Sequence, residues 1–362
     1  VLVIGGAGTI GKAFVKAILN FQPARLVVVD WNENGLAELT RDLRSSPGQY
    51  VPPHFLTYPF DFGGSVFHRF LAQEGPFDIV AHFAAHKHVR TEKDIHAIEA
   101  MLRNNLFATI RLLESLQQHP PDRFFSVSTD KASAPASVMG ASKKLMEEAI
   151  LSFGRQMNAV TARFANVAFS NGSLPDSFLN RLERRQPLVA PRDIRRYFVS
   201  PEEAGQLCLL ATLTGASGEI LFPKMDRSHL HSFSRIAQDL LREVGLEADL
   251  CASEEEARGK SSDWREGEPY PLFLFDTNTS GEKKEEIFFS PQEKVIWDRY
   301  AQLGVIQKSA SFAREEWTGI RSELEGVFHR PRASKSDLVQ VIARYVADFQ
   351  HAETGKKLDD RM

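Results

Sequence analysis

The sequence predicts an α/β protein built on a doubly wound parallel sheet. Three observations lead there. Short aliphatic or aromatic runs alternate with stretches of helical apolar spacing, the pattern of successive βαβ units. The first run stops at a glycine cluster that opens straight into a helical pattern. The second run ends at an acidic residue about twenty positions past the last of those glycines.

Residues 1–4, Val-Leu-Val-Ile, read as a buried parallel strand, because such strands are apolar on both faces. Gly5-Gly6-Ala7-Gly8-Thr9-Ile10-Gly11 follows, then Phe14, Ile18 and Leu19 at helical spacing. Glycines at 5, 6, 8 and 11 allow a tight turn, and backbone N–H groups around Gly8, Ile10 and Gly11 can approach a pyrophosphate at the helix N-terminus. This order is that of a Rossmann-like nucleotide-binding fold. The second strand, Arg25–Val29, ends at Asp30, whose carboxylate can accept hydrogen bonds from both ribose hydroxyls of NAD. Trp31 follows where NADP readers often offer a cation, so NAD is favoured over NADP. Residues 55–60 form a third strand leading to Asp61, a candidate for the adenine edge. Residues 77–83 form a fourth, ending in Ala84-Ala85, small enough for backbone to lie close to a cofactor. Residues 124–127 form the next strand, with Thr129 just past its carboxyl end, where ligands of open parallel sheets bind.

Composition sets outer bounds. Of 362 residues, 43% are hydrophobic and 25% charged, as in an ordinary soluble enzyme. A formal net charge of −3 supplies no basic field for nucleic acid. Cys208 and Cys251 are far apart, which argues against a disulfide framework and for a reducing cytoplasm. No apolar run reaches membrane-spanning length. The chain opens inside its first strand, so residues before Val1 are expected to be missing, and an upstream targeting or membrane segment stays open. The histidines show no metal-ligand spacing with cysteines or carboxylates, and no catalytic metal is expected.

The densest chemistry lies in Ser128-Thr129-Asp130-Lys131 and Met139-Gly140-Ala141-Ser142-Lys143. Lys143 falls four residues after Met139 among helix formers, so the two share a helical face. The blocks 128–132 and 138–143 resemble those of the extended short-chain dehydrogenases that act as nucleotide-sugar 4,6-dehydratases in polysaccharide biosynthesis, the CapD-like family. Ala84-Ala85-His86-Lys87-His88-Val89, Asn105 to Thr109, Arg163-Phe164-Ala165-Asn166-Val167 with Ser170 and Ser173, Arg195-Arg196-Tyr197-Phe198, and Gly281-Glu282-Lys283 resemble further blocks of that family in the same order. Two departures stand out. Met139 occupies the usual Tyr position, and Ala108 a usual Gly.

The resemblance implies NAD as cofactor, held by the glycine turn, Asp30, Asp61, Ala84, Ala85, Asn105 and Lys143. It implies a nucleotide sugar such as UDP-GlcNAc as substrate, touched by Lys87, His88, Arg163, Asn166, Ser173, Arg196 and Glu282. The expected reaction oxidises C4, eliminates the C5 proton with the C6 hydroxyl, and reduces C6. Asp130 would be the acid at the C6 oxygen, Lys131 the base at C5, and Thr129 a hydrogen-bond partner of the C4 oxygen. Lys143 would hold the nicotinamide ribose and favour negative charge at the C4 oxygen. Met139 cannot take a proton, so the C4 proton must leave through Thr129, a lysine or water. Met-containing members resemble dehydratases that retain C5 configuration.

Blander readings sit beside these. Asp130 could cap a turn, Lys131, Lys87 and His88 could be surface charges, Arg163 could be a structural ion-pair partner, and residues 281–286 could start a charged helix. A GDP-linked substrate and a nucleotide-sugar epimerase are alternatives on the same fold. A non-enzymatic NAD-binding protein is opposed by intact Asp130, Lys131 and Lys143.

The expected organisation is a nucleotide domain over 1–166, rejoined by 196–218. A smaller C-terminal α/β substrate lobe covers 167–195 and 219–290, and a helical extension 291–362. Residues 199–214 read as a helix, 254–256 and 261–263 as solvated surface or a mobile loop. Residues 295–303, 312–327 and 338–349 carry helical apolar spacing and could cap the lobe or build a homo-oligomer contact.

Overall fold

The structure, a computed structural model, describes residues 1–277, 281, 283–351 and 353. They form two compact units, one of residues 1–164, 201–224 and 287–351, the other of residues 165–200 and 225–286.

The larger unit opens with β1 (Leu2–Ile4), α1 (Thr9–Leu19), β2 (Arg25–Val29), α2 (Glu33–Ser45), β3 (His54–Tyr58), α3 (Ser65–Glu74) and β4 (Ile79–His82). It continues with α4 (Ile95–Leu102), α5 (Ala108–Leu116), β5 (Arg123–Thr129), α6 (Val138–Phe153) and β6 (Ala159–Phe164). The smaller unit then takes β7 (Asn166–Val167), α7 (Leu174–Glu183), β8 (Leu188–Pro191) and β9 (Arg195–Val199). The chain returns to the larger unit for α8 (Pro201–Thr214) and β10 (Glu219–Pro223). β11 (Leu230–Ser232), α9 (Phe233–Glu243), β12 (Ala248–Cys251), α10 (Glu254–Asp263) and β13 (Tyr270–Phe275) complete the smaller unit. β14 (Val295–Ile296), β15 (Leu303–Gln307), α11 (Glu316–Phe328) and α12 (Lys335–Tyr345) complete the larger.

Among the described residues the large sheet has nine strands, in the order β14-β15-β10-β6-β5-β4-β1-β2-β3. Every neighbouring pair from β10 to β3 is parallel, and β15 and β14 close one edge antiparallel. Strand order reverses between β1 and β4, which opens a crevice beyond their carboxyl ends. β1 and the Leu26–Val29 run of β2 are fully buried, which is why they read as unbroken apolar strings. The smaller unit holds two three-stranded sheets, β11-β9-β7 and β12-β13-β8, and its own apolar cluster around Phe178, Leu188, Leu241, Tyr270 and Leu272. Among the described residues no helix is long and apolar enough to cross a membrane.

Three expectations are corrected. Residues 295–303, expected helical, instead supply β14 and lead into β15. A short apolar run does not distinguish helix from strand, and the free edge of β10 selects strand by pairing with Leu303–Gln307. Residues 254–256 and 261–263, expected as solvated surface or a mobile loop, are no loop but the two ends of α10, with Glu255, Ser262 and Asp263 exposed. The Ser253 hydroxyl caps it, accepting from the Glu256 nitrogen, and Glu254, Glu255 and Glu256 complement the helix dipole. Residues 291–351 are no separate helical extension. Trp317, Ile320, Leu324, Leu338 and Ile342 join Ala141, Leu145, Met146 and Ala149 of α6 in one buried core.

Candidate active site

β1 ends at Gly5, whose φ of +79° lies in the left-handed region and whose Cβ, if present, would sit 2.4 Å from the Ala84 nitrogen. Glycine is what lets β1 and the end of β4 run so close. A Cβ on Gly11 would lie 2.2 Å from the Gly5 oxygen, so Gly11 seats α1 against the turn. Gly8 is different, because a Cβ there would meet nothing nearer than that same oxygen at 3.5 Å. Internal packing does not require a glycine at this N-cap of α1. Its bareness instead keeps room above the first helical turn, where Ile10 is half-buried and the dipole favours an anion. This cradle fits a dinucleotide pyrophosphate.

Asp30 braces the turn from β2. One carboxylate oxygen accepts from the Ala7 nitrogen at 2.9 Å and the other from the Asn32 nitrogen at 3.0 Å. Each oxygen keeps a lone pair for a ribose hydroxyl. Asp61 is exposed and accepts from the Gly63 nitrogen at 2.9 Å, and Ala84 and Ala85 are half-buried. Asn105 departs from expectation. It is fully buried in a π-helical turn, Arg103–Phe107. Its Oδ1 accepts from the His86 nitrogen at 2.7 Å, and its Nδ2 donates to the His86 oxygen at 2.9 Å and to Ser142 Oγ at 3.2 Å. It clamps the loop after β4 onto α6.

β5 delivers Thr129 as its last residue, and the 3-10 turn Asp130–Ala132 follows. Thr129, not Asp130, caps that turn. Thr129 Oγ1 donates to Asp130 Oδ1 at 2.9 Å, and Lys131 Nζ donates to the same oxygen at 3.0 Å. Asp130 is buried, and the Lys131 side chain is 21% exposed. A hydroxyl and an amine thus share one carboxylate oxygen as acceptor.

α6 starts under two caps. Ser137 Oγ accepts from the Gly140 nitrogen at 3.0 Å, and Glu92 accepts from the Met139 nitrogen at 2.9 Å. Met139 is buried as packing, and Lys143 is buried one turn further on. Lys143 Nζ donates to the Val127 oxygen at 2.9 Å and touches Met146 Sδ at 3.5 Å. Desolvation pulls its pKa down to about 8, partly opposed by the Glu147 charge. His82 on β4 meets Thr109 Oγ1 at 3.1 Å, and burial with the Lys143 charge pushes its pKa to about 3, so it stays neutral.

Sequence reasoning missed the charges behind this set. Glu147 lies one turn past Lys143, is fully buried, and accepts from Ser128 Oγ at 2.6 Å. Arg163 spends every donor within the protein. Its Nε and Nη2 reach the two Glu147 oxygens at 2.9 and 2.8 Å, and Nη1 and Nη2 reach the two Glu293 oxygens at 2.7 Å. The remaining Nη1 hydrogen goes to the Phe288 oxygen at 2.9 Å. The expected substrate role of Arg163 is therefore replaced by a structural one. Burial works against the Glu147 carboxylate, but the Arg163 charge and hydrogen bonds outweigh it and hold its pKa below the ordinary range. No sequence signal marked it, because Lys143, Lys144, Glu147 and Glu148 recur at helical spacing and read as an ordinary solvated helix face.

In the smaller unit, Arg196 is likewise committed. Its guanidinium is buried and donates to the Arg195, Lys284 and Lys283 oxygens at 2.8, 3.1 and 2.9 Å, with Glu286 at 3.8 Å. It fastens residues 283–286, which are irregular and not a helix start, so the substrate contact expected of it is corrected. Ser173 caps α7 by accepting from the Asp176 nitrogen at 3.3 Å, and Asn166 opens β7, half-buried. Lys87 and His88 are exposed in the larger unit, and Glu282 lies outside the described residues.

A family model described as "Polysaccharide biosynthesis protein" matches residues 1–291. The capsular polysaccharide biosynthesis protein CapD of Staphylococcus aureus is 30% identical over 251 residues, 68% of this chain and 41% of that protein. UDP-N-acetylglucosamine 4,6-dehydratase (inverting) of Campylobacter jejuni is 24% identical over 235 residues, 62% of this chain and 66% of that one. The chain thus spans from two fifths to two thirds of the length of these relatives. The fold matches DesIV, a dTDP-glucose 4,6-dehydratase from Streptomyces venezuelae solved with NAD and TYD bound, at a TM-score of 0.58 and 20% identity, covering 76% of this chain and 88% of that one. With its glycine turn, doubly wound sheet and Thr-Asp-Lys segment in that order, the chain belongs to the polysaccharide biosynthesis protein family, among the short-chain dehydrogenase-like folds.

Proposed function

We propose that this chain dehydrates a nucleotide-linked N-acetylhexosamine, with UDP-GlcNAc the foremost candidate, to its 4-keto-6-deoxy form, using NAD as a resident cofactor. The observation that carries the reading is the Thr129–Asp130–Lys131 cluster at the carboxyl end of β5, with both protein contacts of Asp130 Oδ1 at 2.9–3.0 Å. The fit of Gly8 and Asp30 to a dinucleotide, the family match and the Campylobacter relative support it. A C4 epimerase has no use for a leaving-group acid beside an amine.

A dinucleotide held by the Gly5–Gly11 turn and Asp30 would supply the hydride chemistry, from C4 and back to C6. The chain handles the protons. The C4 hydroxyl passes its proton to Thr129 Oγ1, which passes its own to Asp130 Oδ1, 2.9 Å away. This route needs no tyrosine. Asp130 becomes the acid that the C6 oxygen requires, while Lys131, as a free amine, removes the C5 proton made acidic by the ketone. The C6–O bond breaks, Asp130 protonates the departing oxygen, and water leaves. Lys131 then returns its proton to C5 on the face it came from, which retains configuration. The count closes: the C4 proton leaves in the water, and the C5 proton goes back. Lys143, in its charged form, favours negative charge on the C4 oxygen during oxidation. The Campylobacter relative is named as inverting; the retained configuration proposed here rests on Met139 at the position where the family resemblance expects Tyr.

The test is incubation with UDP-GlcNAc. Loss of one water in the mass spectrum is expected, with the product NMR spectrum reporting retained C5. Asp130→Asn and Lys131→Ala should each lower turnover by about 10²–10⁴ while bound NAD remains. Unchanged UDP-GlcNAc with the wild type would remove the substrate assignment.

A further inference from the structure

We propose that Trp31 and His86 form an aromatic strap across the dinucleotide groove, closing over the ribose–pyrophosphate backbone of the cofactor and slowing its release. The proposal rests on the dinucleotide reading above. It starts from sheet order: β4, β1 and β2 are consecutive neighbours. Trp31 follows Asp30 beyond the carboxyl end of β2, and His86 lies beyond the carboxyl end of β4. Their ring centroids are 6.4 Å apart with planes at 42°, within the range of aromatic pairs. A contact between those two residues crosses the carboxyl end of β1. The turn that begins there is Gly5–Gly8, whose last glycine leaves room for a ligand.

Each end of the strap is built. The His86 backbone is held on both sides by the buried Asn105 amide, at 2.7 and 2.9 Å. The Trp31 end is braced by Asp30, which accepts from the Asn32 nitrogen at 3.0 Å. The indole itself is 79% exposed, so core packing does not account for so large an apolar side chain at this position. Burial lowers the His86 pKa, which keeps the imidazole uncharged against the indole. An extended dinucleotide laid across the carboxyl ends of β2, β1 and β4 would suit the span. A cofactor restored at the end of each turnover gains from a slow exit.

The test is the NADH release rate, read from its fluorescence when a preloaded protein is chased with excess NAD⁺. Trp31→Ala and His86→Ala should each release NADH about tenfold faster than wild type. The double variant should be no faster than either single one, because one contact is lost in all three. Energy transfer from tryptophan to NADH should fall in Trp31→Phe. Neither alanine change touches the core, and circular dichroism checks the fold. Wild-type release rates in both single variants, or a double variant that multiplies their effects, would overturn the strap. Failure of the wild type to bind NADH at all would instead overturn the dinucleotide reading, and the strap with it.

Discussion

Thr129 and Asp130 share a single hydrogen bond of 2.9 Å, and the proposed proton route from C4 runs through it. Thr129→Val keeps the shape and removes the hydroxyl, so turnover should fall about a hundredfold, with Thr129→Ser restoring most of it. A valine variant as fast as wild type in steady-state assays would send the C4 proton elsewhere. Lys143 makes a pH prediction of known sign. Its charged form is the useful one, so turnover should decline as pH rises through about 8. Stability runs the other way. Between about 8 and the ordinary 10.5 the unfolded chain holds this proton and the folded one does not, so the Lys143 contribution to stability grows with pH across that window. Denaturant unfolding at the two ends of the window should show this increment in wild type and not in Lys143→Met.

At the scale of the element, α6 is the unusual feature. It carries Lys143, Lys144, Glu147 and Glu148, all buried. Each of the last three charges has a partner from another segment: Lys144 meets Glu293 at 3.5 Å, Glu147 meets Arg163 at 2.8 Å, and Glu148 meets Lys308. Such pairs hold a helix in one position more than they add stability, but breaking one is costly. Arg163→Met would leave Glu147 and Glu293 buried without their main partner. The expected loss is about 3–5 kcal/mol in chemical denaturation. A variant as stable as wild type would mean that water reaches both carboxylates. β9 repeats the lesson in the smaller unit, where alternation turns Arg196 inward and leaves Arg195 exposed.

At the scale of the whole molecule, the C-terminal segment is part of the larger unit's core. Trp317 donates from Nε1 to Ser152 Oγ at 2.9 Å, and Ser311 donates its backbone N–H to Glu148 at 3.0 Å. Both acceptors lie on α6. Ending the chain after Gln307 would strip the cover from α6. Burial of Trp317, Ile320, Leu324, Val327, Leu338 and Ile342 contributes on the order of 10 kcal/mol as an upper estimate, comparable to the whole stability of a domain. The truncated protein should aggregate or bind a hydrophobic dye. A cooperative melt at the wild-type temperature would show instead that α6 finds other cover.

What short-range physics controls is legible in the residues alone. Strand, glycine turn, helix and acidic strand end follow from periodicity and from glycine's freedom over neighbouring residues, and Thr129, Asp130 and Lys131 are adjacent in the chain. Tertiary structure decided where charges spend their hydrogen bonds. Nothing local to Arg163 reveals that Glu293 will meet it, and nothing local to Arg196 reveals the Lys283 and Lys284 carbonyls. Residues 303–307 became strand because β10 offered an open edge. Long-range pairing is a property of the assembled fold, so it leaves no pattern in the residues on either side.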